Sequence, residues 1–346
     1  MNDSRYDPGD LAKVPEPEWK EYRSRIDGYL DGYRAFKALE ASLRLGLFEA
    51  LAVPADPETV AARIDADPAM TGLLCASLAE TGFIEEHDGV CSLTPGTETY
   101  LTEDSPHCQK DAVLRSAERA SRWEKLDRLV LGGPEVVSQE EHFNADWIKA
   151  IATESKGGSI GRVVGYIEEH AEIPETGTIT DVGGGHGLYM IALCARHPGL
   201  RGRVFDRRRI LDVAERHCEE YGVPLELVPG DLYEDPIPGG NDLMYIAFNP
   251  GDSDPELAPG ISGALSPGGT LIVRRHTRAA TQGALRNLEW NLRIWEGFKP
   301  GGKRHSAAAT DNGEKYIERL ATAGVELVSR EDFDRESEML VFRKTA

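Results

Sequence analysis

The chain has 346 residues, of which 40% are hydrophobic, which is enough for two domains of ordinary size. Its formal net charge of -20 disfavours nucleic acid and anionic membranes as partners. No apolar run approaches the ~20 residues that span a bilayer, and the start is too polar for a signal peptide, so we expect a cytoplasmic protein. Five scattered cysteines form no CxxC pair, which predicts reduced thiols and neither a disulfide framework nor a metal site.

The N-terminal third has the pattern of a winged helix. Apolar residues at spacings of three and four predict an amphipathic helix over Phe36 to Leu51. Two further helices are predicted over Pro57 to Ile64 and over Pro68 to Glu80. An Asp88-Gly89 turn then joins the two strands of a β-hairpin. Three helices followed by a hairpin are typical of a winged helix.

A winged helix suggests a DNA-binding regulator, but the charge of this one argues against it. Residues 35 to 105 contain three basic side chains and thirteen acidic ones. Contacts to phosphate dominate nucleic-acid affinity, and so acidic a module cannot supply them. We therefore expect this module to serve dimerisation or packing.

The middle of the chain is helical, and the remainder alternates between strands and helices. The helical pattern runs from about Lys110 to Glu172, and turn residues from Pro174 to Gly177 follow it. The predicted divisions are an N-terminal domain (1–110), a helical linker that contributes to the substrate pocket (111–175) and a cofactor-binding domain (176–346).

The last region has the pattern of a doubly wound, mostly parallel sheet. Its predicted strands are Thr178 to Val182, Gly202 to Asp206, Leu225 to Val228, Asp242 to Phe248 and Thr270 to Val273. Two final strands, Val325 to Val328 and Met339 to Phe342, are joined by a link too short for a helical crossover. We expect these two to pair antiparallel at one edge.

Three features at predicted strand ends indicate an adenosine cofactor. The first strand runs into Asp181-Val182-Gly183-Gly184-Gly185-His186-Gly187, a loop whose glycines let the backbone approach a ligand. Asp206 ends the second strand, where an acid can accept both ribose hydroxyls, and Asp231 follows the third, where an acid can accept from the adenine amino group. Open α/β sheets bind ligands at these carboxyl ends.

These motifs resemble the S-adenosylmethionine-dependent small-molecule O-methyltransferase family of plant phenolic and bacterial antibiotic pathways. Besides the glycine loop and Gly230-Asp231, the resemblance rests on residues 197–202, 204–206, 45–48, 88–89, 92–94 and 301–304. It implies a Rossmann-like class I methyltransferase domain, with a mostly parallel seven-stranded sheet and one antiparallel edge strand. It also implies a preceding winged-helix dimerisation domain, a homodimer, a small-molecule substrate in a pocket between the domains, and S-adenosylmethionine as cofactor.

The resemblance assigns the cofactor-binding positions residue by residue. Gly183, Gly185 and Gly187 are expected to face the methionine and ribose part, and Asp181 is a further cofactor-binding position. Asp206 would hold the ribose, and Asp231 with Leu232 the adenine. Phe248, at the end of the fourth strand, is a further cofactor-binding candidate.

One departure from the family pattern concerns the general base. Family members carry a His-Asp-Trp triplet after the fourth strand, where this chain has Gly251-Asp252-Ser253. If a base is used, His276 just past the fifth strand is the first candidate and His305 the second. An acceptor that is already anionic, or a nucleophilic carbon, would need no base. Some relatives that lack the histidine methylate carbon, and others, including hydroxylase-like ones, have lost net methyl transfer.

A basic segment near the C-terminal end of the fold contains further candidate site residues. Between residues 274 and 304, eight basic side chains stand against two acidic ones: Arg274, Arg275, Arg278, Arg286, Arg293, Lys299, Lys303 and Arg304 against Glu289 and Glu296. They either receive an anionic acceptor or pair with the acidic remainder of the chain. The candidate substrate contacts are Phe143, Trp147, Trp290 and Arg304.

A nicotinamide-dependent oxidoreductase is the main alternative enzyme, because a glycine loop alone permits it. Arginines 207 to 209 directly follow the ribose acid, where such enzymes can hold a 2′-phosphate. Asp206 would repel that phosphate, so we interpret the arginines as an acid-paired surface. A cofactor-bound scaffold without turnover is the other alternative.

Overall fold

The computed structural model of the chain describes residues 8–138, 141, 144–277, 283–296 and 312–345. The chain divides into two compact units, with the division between Leu114 and Arg115. The sequence-based boundaries at residues 110 and 175 stay predictions. Among the described residues, no helix is long and apolar enough to cross a membrane.

The first unit is mainly helical and carries one hairpin. Its elements are a 3-10 turn (Pro8–Ala12), α1 (Trp19–Leu45), α2 (Leu47–Ala50), α3 (Pro57–Arg63), α4 (Pro68–Glu80), β1 (Ile84–His87), β2 (Val90–Leu93) and α5 (Pro95–Leu101). The next helix, α6 (Lys110–Ala120), continues past the division between the units.

The predicted helices α3 and α4 and the predicted hairpin are present. Asp56 and Asp67 begin the two helices, and each side chain accepts a backbone N–H from the first turn, at 2.9 and 2.8 Å. Strands β1 and β2 pair antiparallel around Asp88 (φ 51°) and Gly89 (φ 78°). Positive φ at both central positions is the type I′ turn that suits a two-residue hairpin.

Helix α1 is longer than the sequence pattern predicted. It begins at Trp19, well before the predicted start at Phe36. The apolar residues of these early turns lie at helical spacing but stay exposed, as Trp19 does at 61%, so they add little to the core of the unit. An ion pair at helical spacing, Arg23 Nε to Asp27 Oδ1 at 2.8 Å, stabilises them instead.

The second unit contains the α/β fold. Its elements are a 3-10 turn (Ser121–Lys125), α7 (Leu126–Gly132), β3 (Glu135–Val137), α8 (Ala145–Lys156), α9 (Ser159–His170), β4 (Gly177–Val182), α10 (Leu188–Arg196), β5 (Leu200–Asp206), α11 (Arg208–Tyr221), β6 (Glu226–Pro229), β7 (Asn241–Ala247), a 3-10 turn (Pro250–Asp252), α12 (Ala258–Ala264), β8 (Leu265–His276), α13 (Ala284–Leu292), β9 (Arg293–Trp295), α14 (Asn312–Thr322), β10 (Val325–Asp332) and β11 (Ser337–Lys344).

Seven of these strands form one sheet, in the order β10-β11-β8-β7-β4-β5-β6. Strands β4 to β8 run parallel, whereas β11 is antiparallel to both of its neighbours, β8 and β10. The predicted pairing of the last two strands is therefore present. The antiparallel strand is β11, which lies one position inside the edge, and β10 is the outermost strand.

Buried helices cover both faces of this sheet. On one face, residues of α9 and α10 pack against the strands around Val163, Met190 and Tyr245. On the other, α12 and α14 pack around Ile261 and Tyr316. This layering leaves the carboxyl ends of β4 to β8 at one edge of the sheet, which is where such folds bind ligands.

A second, two-stranded sheet was missed by the sequence analysis. Strand β3 pairs in parallel with β9, with Glu135 opposite Arg293 and Val137 opposite Trp295. Three-residue strands are too short to show an alternating pattern, and their partners here are far apart in the chain.

Candidate active site

The glycine loop between β4 and α10 forms the floor of the candidate site. Gly183 and Gly185 have φ values of +70° and +53°, which side-chain-bearing residues rarely adopt. A Cβ on Gly183 would lie 2.5 Å from Nδ2 of Asn249, so this position also needs a residue without a side chain. Asn249 Nδ2 donates to Val182 O at 2.8 Å, which ties the loop after β7 to the end of β4.

Asp206, at the end of β5, is held by the backbone of the same loop. Its Oδ2 accepts the Gly185 N–H at 2.9 Å and its Oδ1 accepts the Arg207 N–H at 2.7 Å. Burial raises the pKa of Asp206, while these two donors oppose the rise. The carboxylate is thus fixed beside the loop, with lone pairs left over for a ligand's hydroxyl groups.

Asp181 is the least satisfied acid of the site. It is 2% exposed, and its Oδ2 has no hydrogen-bond partner among the described residues. Burial, followed by the charge of Asp206, raises the pKa of Asp181 to about 8. A buried carboxyl oxygen without a donor is costly, and a ligand that brings a donor or a positive charge would satisfy it.

Asp231 lies beyond the end of β6 and is already engaged. Its Oδ1 accepts the Tyr233 N–H at 3.0 Å and its Oδ2 accepts from Arg207 Nε at 2.9 Å. The interpretation of the arginine run as an acid-paired surface therefore fits Arg207. Leu232 packs partly buried against the core below the strand ends.

Gly251, after the end of β7, stands where the family's usual base would be. Gly251 is buried in the 3-10 turn, and a Cβ there would lie 3.0 Å from Asn249 Oδ1 and 3.3 Å from a methyl group of Ile246. A side chain at this position would therefore need the Asn249 and Ile246 side chains to shift by a few tenths of an ångström. The adjacent Asp252 is buried, and burial raises its pKa to about 7.

His276, at the end of β8, lies among aromatic rings. Its ring centroid is 4.4 Å from that of Phe248 and 6.2 Å from that of Trp290. His276 Nδ1 is buried and has no partner among the described residues. Burial, followed by the charge of Arg286, lowers the pKa of His276, so the imidazole is neutral at pH 7.

Phe248 has an unusual backbone for a large residue. Its φ is +53°, a left-handed conformation that costs a side-chain-bearing residue free energy, and its side chain is still 42% exposed. Strained residues of this kind cluster at functional sites. The structure thus brings the candidates Phe248, His276 and Trp290 together at the ends of β7 and β8.

The described arginines of the basic segment are all ion-paired. The pairs are Arg274 with Asp334 at 2.7 Å, Arg275 with Glu338 at 2.7 Å, Arg286 with Glu336 at 2.7 Å and Arg293 with Glu141 at 2.9 Å. The positive charge of each of these arginines is therefore balanced by an acidic residue of the same chain. The prediction that this segment receives an anionic acceptor has no support from these four residues.

Three predicted site residues, Phe143, Arg304 and His305, lie outside the described residues. Trp147 is described and lies on α8, where it is 40% exposed. Its neighbour Ile148 comes close to the glycine loop, 3.4 Å from where a Cβ on Gly185 would be. The apolar spacing of α8 gave no signal that Ile148 would have this role.

A buried polar network next to the loop was also missed. His186 Nε2 lies 3.4 Å from Ser155 Oγ, which lies 3.3 Å from the Tyr189 hydroxyl. The Tyr189 hydroxyl lies 3.2 Å from Ser159 Oγ, and Arg274 Nη1 donates to that oxygen at 2.8 Å. Burial lowers the pKa of His186 to about 3, so this histidine is a neutral structural group. The members of this network are far apart in the chain, so no sequence motif reveals it.

Comparisons with known proteins identify the family. Residues 28–103 match the O-methyltransferase dimerisation domain, and residues 132–295 match the O-methyltransferase domain. The chain belongs to the S-adenosylmethionine-dependent O-methyltransferases. This membership confirms the predicted fold class, the predicted enzyme class and the predicted cofactor. It gives no support to the nicotinamide oxidoreductase or to a protein without methyl transfer.

Relatives of this methyltransferase are found in archaea, bacteria and animals. An uncharacterised protein of Methanocaldococcus jannaschii is 25% identical over 97% of this chain and 94% of its own. The O-methyltransferase SfmM3 of Streptomyces lavendulae is 29% identical over 68% of this chain and 75% of its own. The crystal structure of human N-acetylserotonin methyltransferase in complex with S-adenosylmethionine superimposes with a TM-score of 0.70 at 21% identity, covering 96% of this chain and all of that one.

Proposed function

We propose that this methyltransferase transfers a methyl group from S-adenosylmethionine to a hydroxyl group on a small, flat, conjugated acceptor. The observation that carries the proposal is that two groups of residues lie at the carboxyl ends of the parallel strands, one suited to the cofactor and one to the acceptor. One is the glycine loop with its two acids, Asp181 and Asp206. The other is the aromatic group formed by Phe248, His276 and Trp290.

The cofactor side fits a cationic nucleoside. Asp206 would accept the ribose hydroxyls, and Asp231 with Leu232 would contact the adenine. Asp181, whose Oδ2 has no partner, would receive the positively charged methionine end. When bound, S-adenosylmethionine supplies a methyl group already activated by its positive sulfur, so the protein mainly has to place the acceptor in line with it.

The acceptor side fits a flat ring and one proton transfer. A conjugated acceptor can stack against Phe248, which is exposed enough to be reached, and beside Trp290. The neutral His276 then takes the hydroxyl proton on a ring nitrogen as the acceptor oxygen bonds to the methyl carbon and the carbon–sulfur bond breaks. Gly251 has no side chain for this task.

A second candidate is transfer without a base, to an anionic oxygen or a nucleophilic carbon. The observation that favours it is Gly251, because the family's usual base is absent there and a Cβ at this position would be in tight contact with Asn249 and Ile246. The two candidates differ in how much they depend on His276. A general base contributes about 10²- to 10⁴-fold, so its removal is easy to detect.

The test is a methyl-transfer screen with deuterated-methyl S-adenosylmethionine and mass detection of products. The panel would contain hydroxylated aromatic compounds, their already methylated forms and non-aromatic alcohols of similar size. We expect label in the hydroxylated aromatic compounds alone. Label on ring carbon would favour the second candidate, and label on the alcohols but not on the aromatics would contradict a conjugated acceptor.

We also propose that the chain forms a homodimer through its first unit. The match to a dimerisation domain supports this, and so does an exposed apolar stripe along α1. The stripe residues recur every three or four positions and are 39 to 73% exposed: Trp19, Tyr22, Ile26, Tyr29, Leu30 and Tyr33. Such a stripe is costly in water unless a partner surface covers it.

A further inference from the structure

Five side chains form a continuous row at the ends of β7 and β8. The Arg274 guanidinium lies over the Phe248 ring at 4.9 Å, and Phe248 lies 4.4 Å from the His276 ring. Next come Trp290, whose ring is 6.2 Å from His276, and the Arg286 guanidinium, which lies over Trp290 at 5.2 Å. The histidine is therefore central, with an aromatic ring and then a cation on each side.

Both end cations are held firmly. Arg274 is 6% exposed and its three nitrogens donate to Ser337, Ser159 and Asp334, at 3.1, 2.8 and 2.7 Å. Arg286 is bidentate to Glu336, at 2.7 and 3.0 Å. Planar guanidinium groups stack on aromatic faces and bind carboxylates in this fork geometry, which makes them suited to fixing both rings.

Arg274 also supports the strained backbone of Phe248. The Phe248 N–H donates to the Arg274 carbonyl at 3.2 Å, and the ring is covered by the guanidinium of the same residue. A left-handed phenylalanine persists only where its surroundings fix it. Arg274 thus sets both the backbone and the ring that contact His276.

We propose that Arg274 and Arg286 are positioning residues for His276: they clamp its two flanking rings and keep the imidazole uncharged, so that it can take the acceptor's proton. This inference rests on the proposed function of His276. The positive charges of Arg274 and Arg286 disfavour a positively charged imidazolium between them, and burial acts in the same direction. The backbone and carboxylate of Glu336, in the turn between β10 and β11, oppose them in part.

The test is an NMR titration of the full chain labelled in its nine histidines, without any acceptor. The His276 signal is identified by its loss in His276→Gln. Titrations from pH 5 to 8 compare the wild type, Arg286→Met, and the double variant Arg286→Met with Glu336→Gln. Arg201→Met is the matched control, because Arg201 is also ion-paired, to Glu226 at 2.8 Å.

The expected pKa of His276 is lowest in the wild type, higher in the double variant and highest in Arg286→Met. The last variant leaves Glu336 unpaired next to the imidazole, which favours its charged form, and we expect a rise of about 0.5 or more, within the ordinary range of pKa perturbations. Arg201→Met should match the wild type. A His276 pKa that stays the same or falls in Arg286→Met would overturn the proposal.

A second arm tests the buried end of the row. Arg274→Lys keeps the charge but loses the fork, and Arg274→Met loses both, so the pKa of His276 should rise only in the methionine variant. If Arg274→Met does not fold, the more exposed Arg286 arm still decides the matter. Failure of the proposed function is distinguishable, because it would show as unchanged methyl transfer in His276→Gln, an assay that involves neither arginine.

Discussion

Gly183→Ala should destabilise the protein well beyond the cost of its backbone conformation. An alanine at φ +70° costs ~1–2 kcal/mol. Its Cβ would also lie 2.5 Å from Asn249 Nδ2, so Asn249 must move. That side chain makes hydrogen bonds to Val182 O and from the Gly251 N–H, at 2.8 and 2.9 Å, each worth about 0.5–1.5 kcal/mol.

The expected loss in Gly183→Ala is therefore about 2–5 kcal/mol in the free energy of unfolding. Gly240→Ala is the matched control, since Gly240 has a φ of +77° and nothing within 4 Å of its would-be Cβ. It should lose only ~1–2 kcal/mol. Urea unfolding followed by circular dichroism measures both. Equal losses in the two variants would refute the argument that Asn249 fills the space beside the loop.

Three further predictions concern the cofactor site and assembly. Asp206→Ala should weaken S-adenosylmethionine binding by at least about tenfold in calorimetry, because charge-assisted hydrogen bonds are worth ~1.5–3 kcal/mol. The control is Asp212→Ala, which changes an exposed acid and should leave the affinity unchanged. Equal affinities in the two variants would contradict the ribose role of Asp206. The pKa of Asp181 is raised to about 8, and only the ionised carboxylate suits a cationic ligand, so affinity should rise roughly fivefold from pH 7 to 8. Asp181→Asn should abolish that rise. A pH-independent wild type would count against this. Replacing Tyr29 and Tyr33 with glutamate should yield monomers in light scattering at micromolar concentration, and a persisting dimer would show that the α1 stripe is not the interface.

The cofactor half of the site was accessible from the sequence because its signals are local. The glycine loop and Asp206 follow directly from strand ends that the apolar pattern marks. The hydrogen bond from the Gly185 N–H to Asp206 joins the ends of β4 and β5, which are consecutive in the chain and adjacent in the sheet. Such features depend on the chain within a few tens of residues.

The acceptor half could not be predicted, because it depends on contacts between distant residues. Arg274 meets Asp334 through the pairing of β11 with β8, so the sequence could not decide between an anionic acceptor and ion pairs for the arginines of the basic segment. The left-handed φ of Phe248 belongs to no sequence pattern, since turns with positive φ are recognised by glycine or asparagine. His276 was a candidate from its position alone, and the four groups that flank it in the row were not predicted.

The central claim is that His276 takes the acceptor proton in place of a base at position 251. It is tested most directly by the single-turnover rate of methyl transfer at pH 7 in the wild type and in His276→Gln, with an acceptor found by the screen and with cofactor binding measured in parallel. We predict a loss of about 10²-fold or more in the variant at unchanged cofactor affinity. A loss of less than about threefold would contradict the claim and favour transfer to an acceptor that needs no base.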